Sequence, residues 1–193
     1  GDVTGLHGTS LDIWIVKLDS AGALEWQRVL GGSGADLGNS VLELSDGGYL
    51  VSGSSRSDDG DLTSHNGTLN QYDAWLIRLD TTGNIVWQRT YGGTSDETIH
   101  ALEPLENGGF IVAGESSSND GDVSGAHGGI DAWVFEVDAD GNLLVGGFFS
   151  FGSNFGGTTN IPGGGGFVAK YDTIGNFKWV VPLYSLNAMV LGV

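Results

Sequence analysis

The chain of 193 residues has no cysteine, three prolines, and only seven Lys and Arg against 24 Asp and Glu. Without cysteine there is no disulfide scaffold, no zinc-thiolate site and no Cys nucleophile. So few prolines rule out a polyproline linker. A net charge of −17 argues against nucleic acid and anionic membranes, which both require a basic face. No run of about 18 apolar residues exists, so no segment reads as a membrane-spanning helix. The first residue is Gly rather than Met and no signal-peptide pattern follows it, which reads as a mature product or a piece of something longer. What the chain does have is 35 Gly, six Trp, five Tyr and eight Phe. That is too aromatic for disorder and rich in turns.

The dominant signal is an internal repeat of roughly 60 residues, in the range of propellers, solenoids and arrays. Asp12-Ile13-Trp14-Ile15-Val16-Lys17-Leu18-Asp19 returns as Asp73-Ala74-Trp75-Leu76-Ile77-Arg78-Leu79-Asp80 and as Asp131-Ala132-Trp133-Val134-Phe135-Glu136-Val137-Asp138. A weaker fourth copy runs Phe167-Val168-Ala169-Lys170-Tyr171-Asp172. Each copy leads into a Gly-containing turn and a second apolar run. In copies one, two and four that run carries a Trp (Trp26, Trp87, Trp179) at 12 residues from the first aromatic.

Alternation of period two makes these runs strands. Trp14, Val16 and Leu18 alternate with Ile13, Ile15 and Lys17, which predicts a strand buried on both faces. Leu24 to Leu30 fits a half-exposed strand. Ser40 to Leu44 and Tyr49 to Gly53 flank Asp46-Gly47-Gly48, and His100 to Leu105 and Phe110 to Gly114 flank Asn107-Gly108-Gly109. Both are tight hairpin signals. One repeat therefore predicts four short antiparallel strands and no helix. The fold class is all-β, a β-propeller of three to four blades, one shortened and the array open or partial. A single repeat array over 1–193 divides into blades at about 9–55, 70–117, an irregular 129–152 and a partial 166–193. A parallel β-helix would repeat at a shorter spacing, and an immunoglobulin-like sandwich has no reason for internal copies.

The recurring DAWLIRLDTTGNIVWQRTYGG and ENGGFIVAGESSSNDGDVSG segments resemble the propeller repeats of large secreted and cell-surface bacterial proteins, especially those of Bacteroidetes. Leu144 to Ser150 followed by Phe167 to Asp172 is similar to the SBBP, or seven-bladed β-propeller, repeat. The Asp-x-x-Gly-x-x-x-Trp pattern in Asp80 to Trp87 and Asp172 to Trp179 is more distantly similar to PQQ-type propeller repeats. The resemblance implies a non-catalytic, extracellular scaffold or spacer that contacts protein or glycan. The alternatives it leaves open are a calcium-stabilised adhesion array and a quinone-cofactor or lyase-type propeller enzyme. The third copy passes from Asp138-Ala139-Asp140-Gly141-Asn142 straight into a segment that reads as a fourth strand, so half a blade is missing. Such an array is expected to be a fragment, an open stack or a chain that self-associates.

The loop between copies is the best functional lead. It reads Asp58-Asp59-Gly60-Asp61 once and Asn119-Asp120-Gly121-Asp122 again. Asp and Asn oxygens clustered about a Gly suit calcium, so Asp58, Asp59, Asp61, Asn119, Asp120 and Asp122 form the candidate metal set. The competing reading is an Asx-turn loop in which these side chains bond local backbone. His7 and His127 share one loop position and His65 lies one residue early. Near Asp2 or Asp122 such a His could ligate metal or act as a base. Its repetition favours a structural role, because a catalytic residue is needed once. The Trp residues read as core rather than as a sugar-stacking platform. Lys17, Arg78, Glu136 and Lys170 share one strand position, where they line a central channel or pair with neighbouring acids. Asp96-Glu97 faces Ala35-Asp36 in the other copy, which speaks against a glycosidase pair. Gly163 to Gly166 is a flexible loop rather than a phosphate cradle, and Asn66-Gly67-Thr68 is an isolated sequon. No residue is assigned a catalytic or cofactor role.

Overall fold

The computed structural model describes residues 3–123, 128–149, 165–171 and 177–183. Asp2, His127, the Gly163 to Gly164 part of the glycine loop and the segment after residue 183 lie outside them. The described residues form twelve strands and no helix. The first copy of the repeat gives β1 (Ile13–Leu18), β2 (Leu24–Leu30), β3 (Asp36–Glu43) and β4 (Tyr49–Ser55). The second gives β5 (Asp73–Leu79), β6 (Ile85–Tyr91), β7 (Glu97–Pro104) and β8 (Phe110–Ser116). The third contributes β9 (Asp131–Val137) and β10 (Leu143–Phe149), and the fourth β11 (Gly165–Tyr171) and β12 (Phe177–Leu183). The protein is all-β with antiparallel sheets, and none of them closes on itself among the described residues.

Local chemistry makes the hairpins. The N–H groups of Ala21 and Ala23 both donate to Asp19 Oδ1 at 2.8 Å. Those of Thr82 and Asn84 do the same to Asp80 Oδ1, and those of Asp140 and Asn142 to Asp138 Oδ1. Gly22, Gly83 and Gly141 hold φ of 81°, 79° and 78° in these turns, a region costly for any residue with a Cβ. The register slips at one corresponding point in three hairpins: Lys17/Leu18, Arg78/Leu79 and Lys170/Tyr171.

Two compact units divide the chain, Gly1–Glu103 with Val112–Val134, and Pro104–Ile111 with Phe135–Val193. In the first, β1 and β2 form a two-stranded sheet, β3-β4-β5-β6 form a four-stranded sheet, and β7, β8 and the start of β9 neighbour one another. The sheets are grouped half a repeat out of step with the sequence copies. The loop after β4 folds back so that Tyr49↔Leu79 through Ser55↔Asp73 pair in one register. Strand β3 starts at Asp36, earlier than the alternation suggests, because the Asp36 N–H donates to Leu11 O at 2.7 Å. In the second unit β9, β10, β11 and β12 neighbour in chain order. Here β10 pairs β9 as β2 pairs β1, and pairs β11 as β4 pairs β5. One strand thus does the work of two, which is how the third copy can be short.

The core of the first unit joins Trp75, Ile77, Leu79, Tyr49 and Val51 to Ile13 and Leu30, with Ile15 and Trp26 packed against them. Apolar burial of this kind is the main favourable contribution to folding. Trp26 and Arg28 fasten the contact: Trp26 Nε1 donates to Thr81 O at 3.2 Å and Arg28 Nη2 to Thr82 O at 2.9 Å. Two expectations are corrected. Strand β1 is not buried on both faces: Trp14, Val16 and Leu18 are exposed, whereas Ile13 and Ile15 are covered. Nor are the Trp residues uniformly core. Trp75 is fully buried, but Trp14 is 47% and Trp179 is 41% exposed. The side chain is the same and the neighbour differs: Trp75 has the β1–β2 hairpin against it, while that hairpin has no sheet on its own Trp14 face among the described residues. In the second unit Ala169 packs with Tyr171, Phe177 and Val180.

Candidate functional site

The repeated acidic loops run back along the link between the second and third strands of the same copy. In the first copy the Ser33 N–H donates to Asp59 Oδ1 at 2.6 Å and the Gly31 N–H to Asp61 Oδ2 at 3.1 Å. The Asp61 N–H returns a bond to Gly31 O. In the second copy the Thr94 N–H and Oγ1 donate to Asp120, and the Gly92 N–H donates to Asp122 Oδ2 at 3.1 Å. Asp122 N–H again returns a bond, to Gly92 O. Leu62 and Val123 are buried beneath the two loops. Four of the six candidate metal ligands, Asp59, Asp61, Asp120 and Asp122, therefore accept backbone N–H groups, while Asp58 and Asn119 are exposed. The Ser33 N–H holds the Asp59 carboxyl below its ordinary range.

Behind each loop lies a second layer of acids, Asp36 and Glu97, which the sequence comparison weighed only as members of a glycosidase pair and did not connect to the loops. The Gly32 N–H and Ser57 Oγ donate to Asp36 Oδ2 at 2.8 and 2.9 Å, and Ser55 Oγ donates to Asp36 Oδ1. At the same place in the next copy the Gly93 N–H donates to Glu97 Oε2 at 3.0 Å and Ser116 Oγ to Glu97 Oε1 at 2.7 Å. Asp36 and Glu97 are both fully buried. Burial pushes the Asp36 carboxyl up despite the donors around it. The signal was available: Asp36/Glu97, Ser55/Ser116, Ser57/Ser118 and Asp61/Asp122 each recur at a spacing of 61 residues. The mixed identity of Asp and Glu hid it.

A third acid completes the cluster. Asp73 is fully buried and accepts the Asn66 N–H at Oδ2, while its Oδ1 has no hydrogen-bond partner. Desolvation, reinforced by the charges of Glu97 and Asp122, raises its carboxyl to about 8. Burial also raises Asp122. Gly92 sits among these groups at φ 155°, where an added Cβ would overlap Glu97. Among the described residues, no three His, Asp or Glu side chains meet in an arrangement that could hold a metal ion.

The histidines do not share a role. The His65 side chain is buried, with Nε2 bonded to Gln71 O and Nδ1 3.5 Å from Asp73 Oδ2. His7 Nε2 instead lies 3.6 Å from Asp61 Oδ2. The four strand-position charges pair with acceptors or donors nearby. Arg78 pairs with Asp46 of the adjoining hairpin turn, and Asn107, which occupies the Asp46 place, donates to Glu136 at 3.4 Å. Lys170 pairs with Asp138 at 2.6 Å, and Lys17 lies 5.5 Å from the Tyr49 ring centre. Asp96, the neighbour of Glu97, accepts the Tyr72 N–H at 2.8 Å.

No family model matches the chain. Over 152 residues it is 34% identical to the regulatory protein FlaEY of Caulobacter vibrioides. That alignment takes in 73% of this chain but only 16% of FlaEY, so the chain spans a small part of that protein's length.

Proposed function

We propose that this chain is a non-catalytic β-propeller-type repeat module of a secreted or cell-surface bacterial protein, a scaffold or spacer whose loops contact protein or glycan. The observation that carries this reading is duplication. The acids that look chemically active recur in two copies, each tied to the same backbone N–H and Ser partners. An active site needs its acid and base once, in one geometry; an anchor for a repeated loop is needed in every copy. FlaEY is named a regulatory protein, and a regulatory role exercised through protein contact suits a scaffold. The extracellular setting rests on the resemblance to secreted and surface repeats.

Calcium binding is the second reading. It is favoured by two buried carboxylate oxygens without partners, Asp12 Oδ1 and Asp73 Oδ1. One thermal-melting series on the 193-residue chain separates the two. Under the scaffold reading, Asp36→Ala and Glu97→Ala lower stability alike, each by about 2–3 kcal/mol for the donors left unsatisfied. Millimolar Ca²⁺ then leaves the melting temperature where excess EDTA leaves it. A Ca²⁺-dependent rise of several degrees, the size expected when ligand is about 100-fold above Kd, overturns the scaffold reading in favour of the calcium array.

A further inference from the structure

Corresponding strands of the first and third copies, β1 and β9, expose complementary faces, whereas that of the second, β5, exposes neither. In β5, Trp75, Ile77 and Leu79 on one face and Ala74 and Leu76 on the other are all buried. In β1 the face matching Trp75, Ile77 and Leu79 is bare: Trp14, Val16 (38%) and Leu18 (49%) are exposed. In β9 the opposite face is bare. Ala132 is exposed and Val134, in the place of the fully buried Leu76, is 64% exposed, with Ile130 beside it equally open. Yet Phe135 and Val137 of β9 are buried. Among the described residues, β9 lacks a neighbour on its rear face and β1 on its front.

The molecule already shows how these two faces fit. Ile13 and Ile15, the β1 equivalents of Ala132 and Val134, pack within one core cluster with Trp75, Ile77 and Leu79, the β5 equivalents of Trp14, Val16 and Leu18. From this we infer that copies of the chain associate head to tail, the Trp14–Val16–Leu18 face of one copy docking on the Ala132–Val134 face of the next. The contact repeats between molecules the packing that holds successive repeats together within one. Because the two faces differ, the interface is heterologous and adds copies in one direction until a ring closes or a filament grows. Apolar side chains that would otherwise stay in water drive it. The net charge of −17 per copy opposes it. Association therefore tightens as added salt screens that repulsion, whose range shrinks from roughly 30 Å at 0.01 M to about 3 Å at 1 M.

The inference rests on repeat packing alone and is independent of whether the module is catalytic. Sedimentation velocity and light scattering on the 193-residue chain, at low and at about 0.5 M NaCl, test it. The wild type should associate with rising concentration, more strongly in high salt. Val16→Asp and Val134→Asp should each raise the association midpoint by about tenfold or more. A mixture of the two variants should form one-to-one pairs, since each retains the face that the other needs. Both sites are exposed, so both variants should keep the wild-type circular dichroism; Leu18→Asp replaces Val16→Asp where that fold is lost. A chain that stays monomeric at high concentration and salt overturns the inference. So does a Val134→Asp chain that associates as wild type, or a variant mixture that stays monomeric. Monomers that bind oligosaccharide through Trp14 would assign the face to glycan instead, and would also overturn it.

Discussion

Asp73 offers the sharpest test of the buried acid cluster. Its carboxyl is fully buried, one oxygen has no partner, and Glu97, Asp122 and His65 face it. Desolvation raises it from 3.8 to about 8. The folded protein therefore holds this proton across a range in which the unfolded chain has lost it. Stability from this group is complete below pH 3.8, falls as pH rises from there, and levels off once pH passes about 8. At about 1.36 kcal/mol per unit the full shift would approach 6 kcal/mol. Water penetration and relaxation reduce this to about 3 kcal/mol, or roughly 6–12 °C for a chain of this size. Asp73→Asn keeps a carbonyl to accept the Asn66 N–H and places an uncharged amide in the cluster. Its advantage over wild type should be near zero at pH 4, grow through pH 6 and 7, and plateau by pH 8–9. Melting curves of both proteins across that range measure it. Parallel curves would refute the reasoning, because Asp73 would then ionise in the fold as it does in the unfolded chain. Asp80 works in the opposite sense: the N–H of Asn84 and Thr82 Oγ1 hold it down to about 2, so its contribution is complete above pH 3.8 and is lost as pH falls from there through about 2.

Trp75→Ala should cost about 3–5 kcal/mol by urea denaturation, whereas Trp14→Ala, the same position one copy earlier, should cost less than about 2. Equal losses would mean that Trp14 is covered in the folded monomer. Gly92→Ala should destabilise by about 2–4 kcal/mol, because the new methyl group meets Glu97 and the backbone holds φ 155°. A neutral result would show that the cluster around Gly92 is loosely packed.

Strand positions and hairpin turns were legible in the sequence because they are local properties. A two-residue period, an Asp two and four residues before the N–H groups that it caps, and a Gly at positive φ are all contained in a short window. Asp19, Asp80 and Asp138 could each be read this way. The acidic loops were also found, since Asp and Gly cluster within four residues. Their partners were less visible: the Asp61 carboxylate meets the Gly31 N–H across 30 residues, and Asp36 and Glu97 differ in type while filling one role. The two histidines near those loops are separated by a shift of one residue, enough to send His7 toward Asp61 and His65 toward Asp73.

The sequence by itself determined an all-β chain of repeated hairpins, because alternation and turn chemistry act between residues close along the backbone. Only the tertiary structure decided how the hairpins group into sheets, since β4 can pair with β5 only once the loop between them has folded back. It also decided which of several equivalent residues is buried. Trp14 and Trp75 hold the same place in their copies of the repeat, and the Nε1 of each donates to a Gln at 2.9 Å. One is exposed and the other lies in the core, because burial depends on the sheet packed across from a strand, and that neighbour is specified elsewhere in the chain.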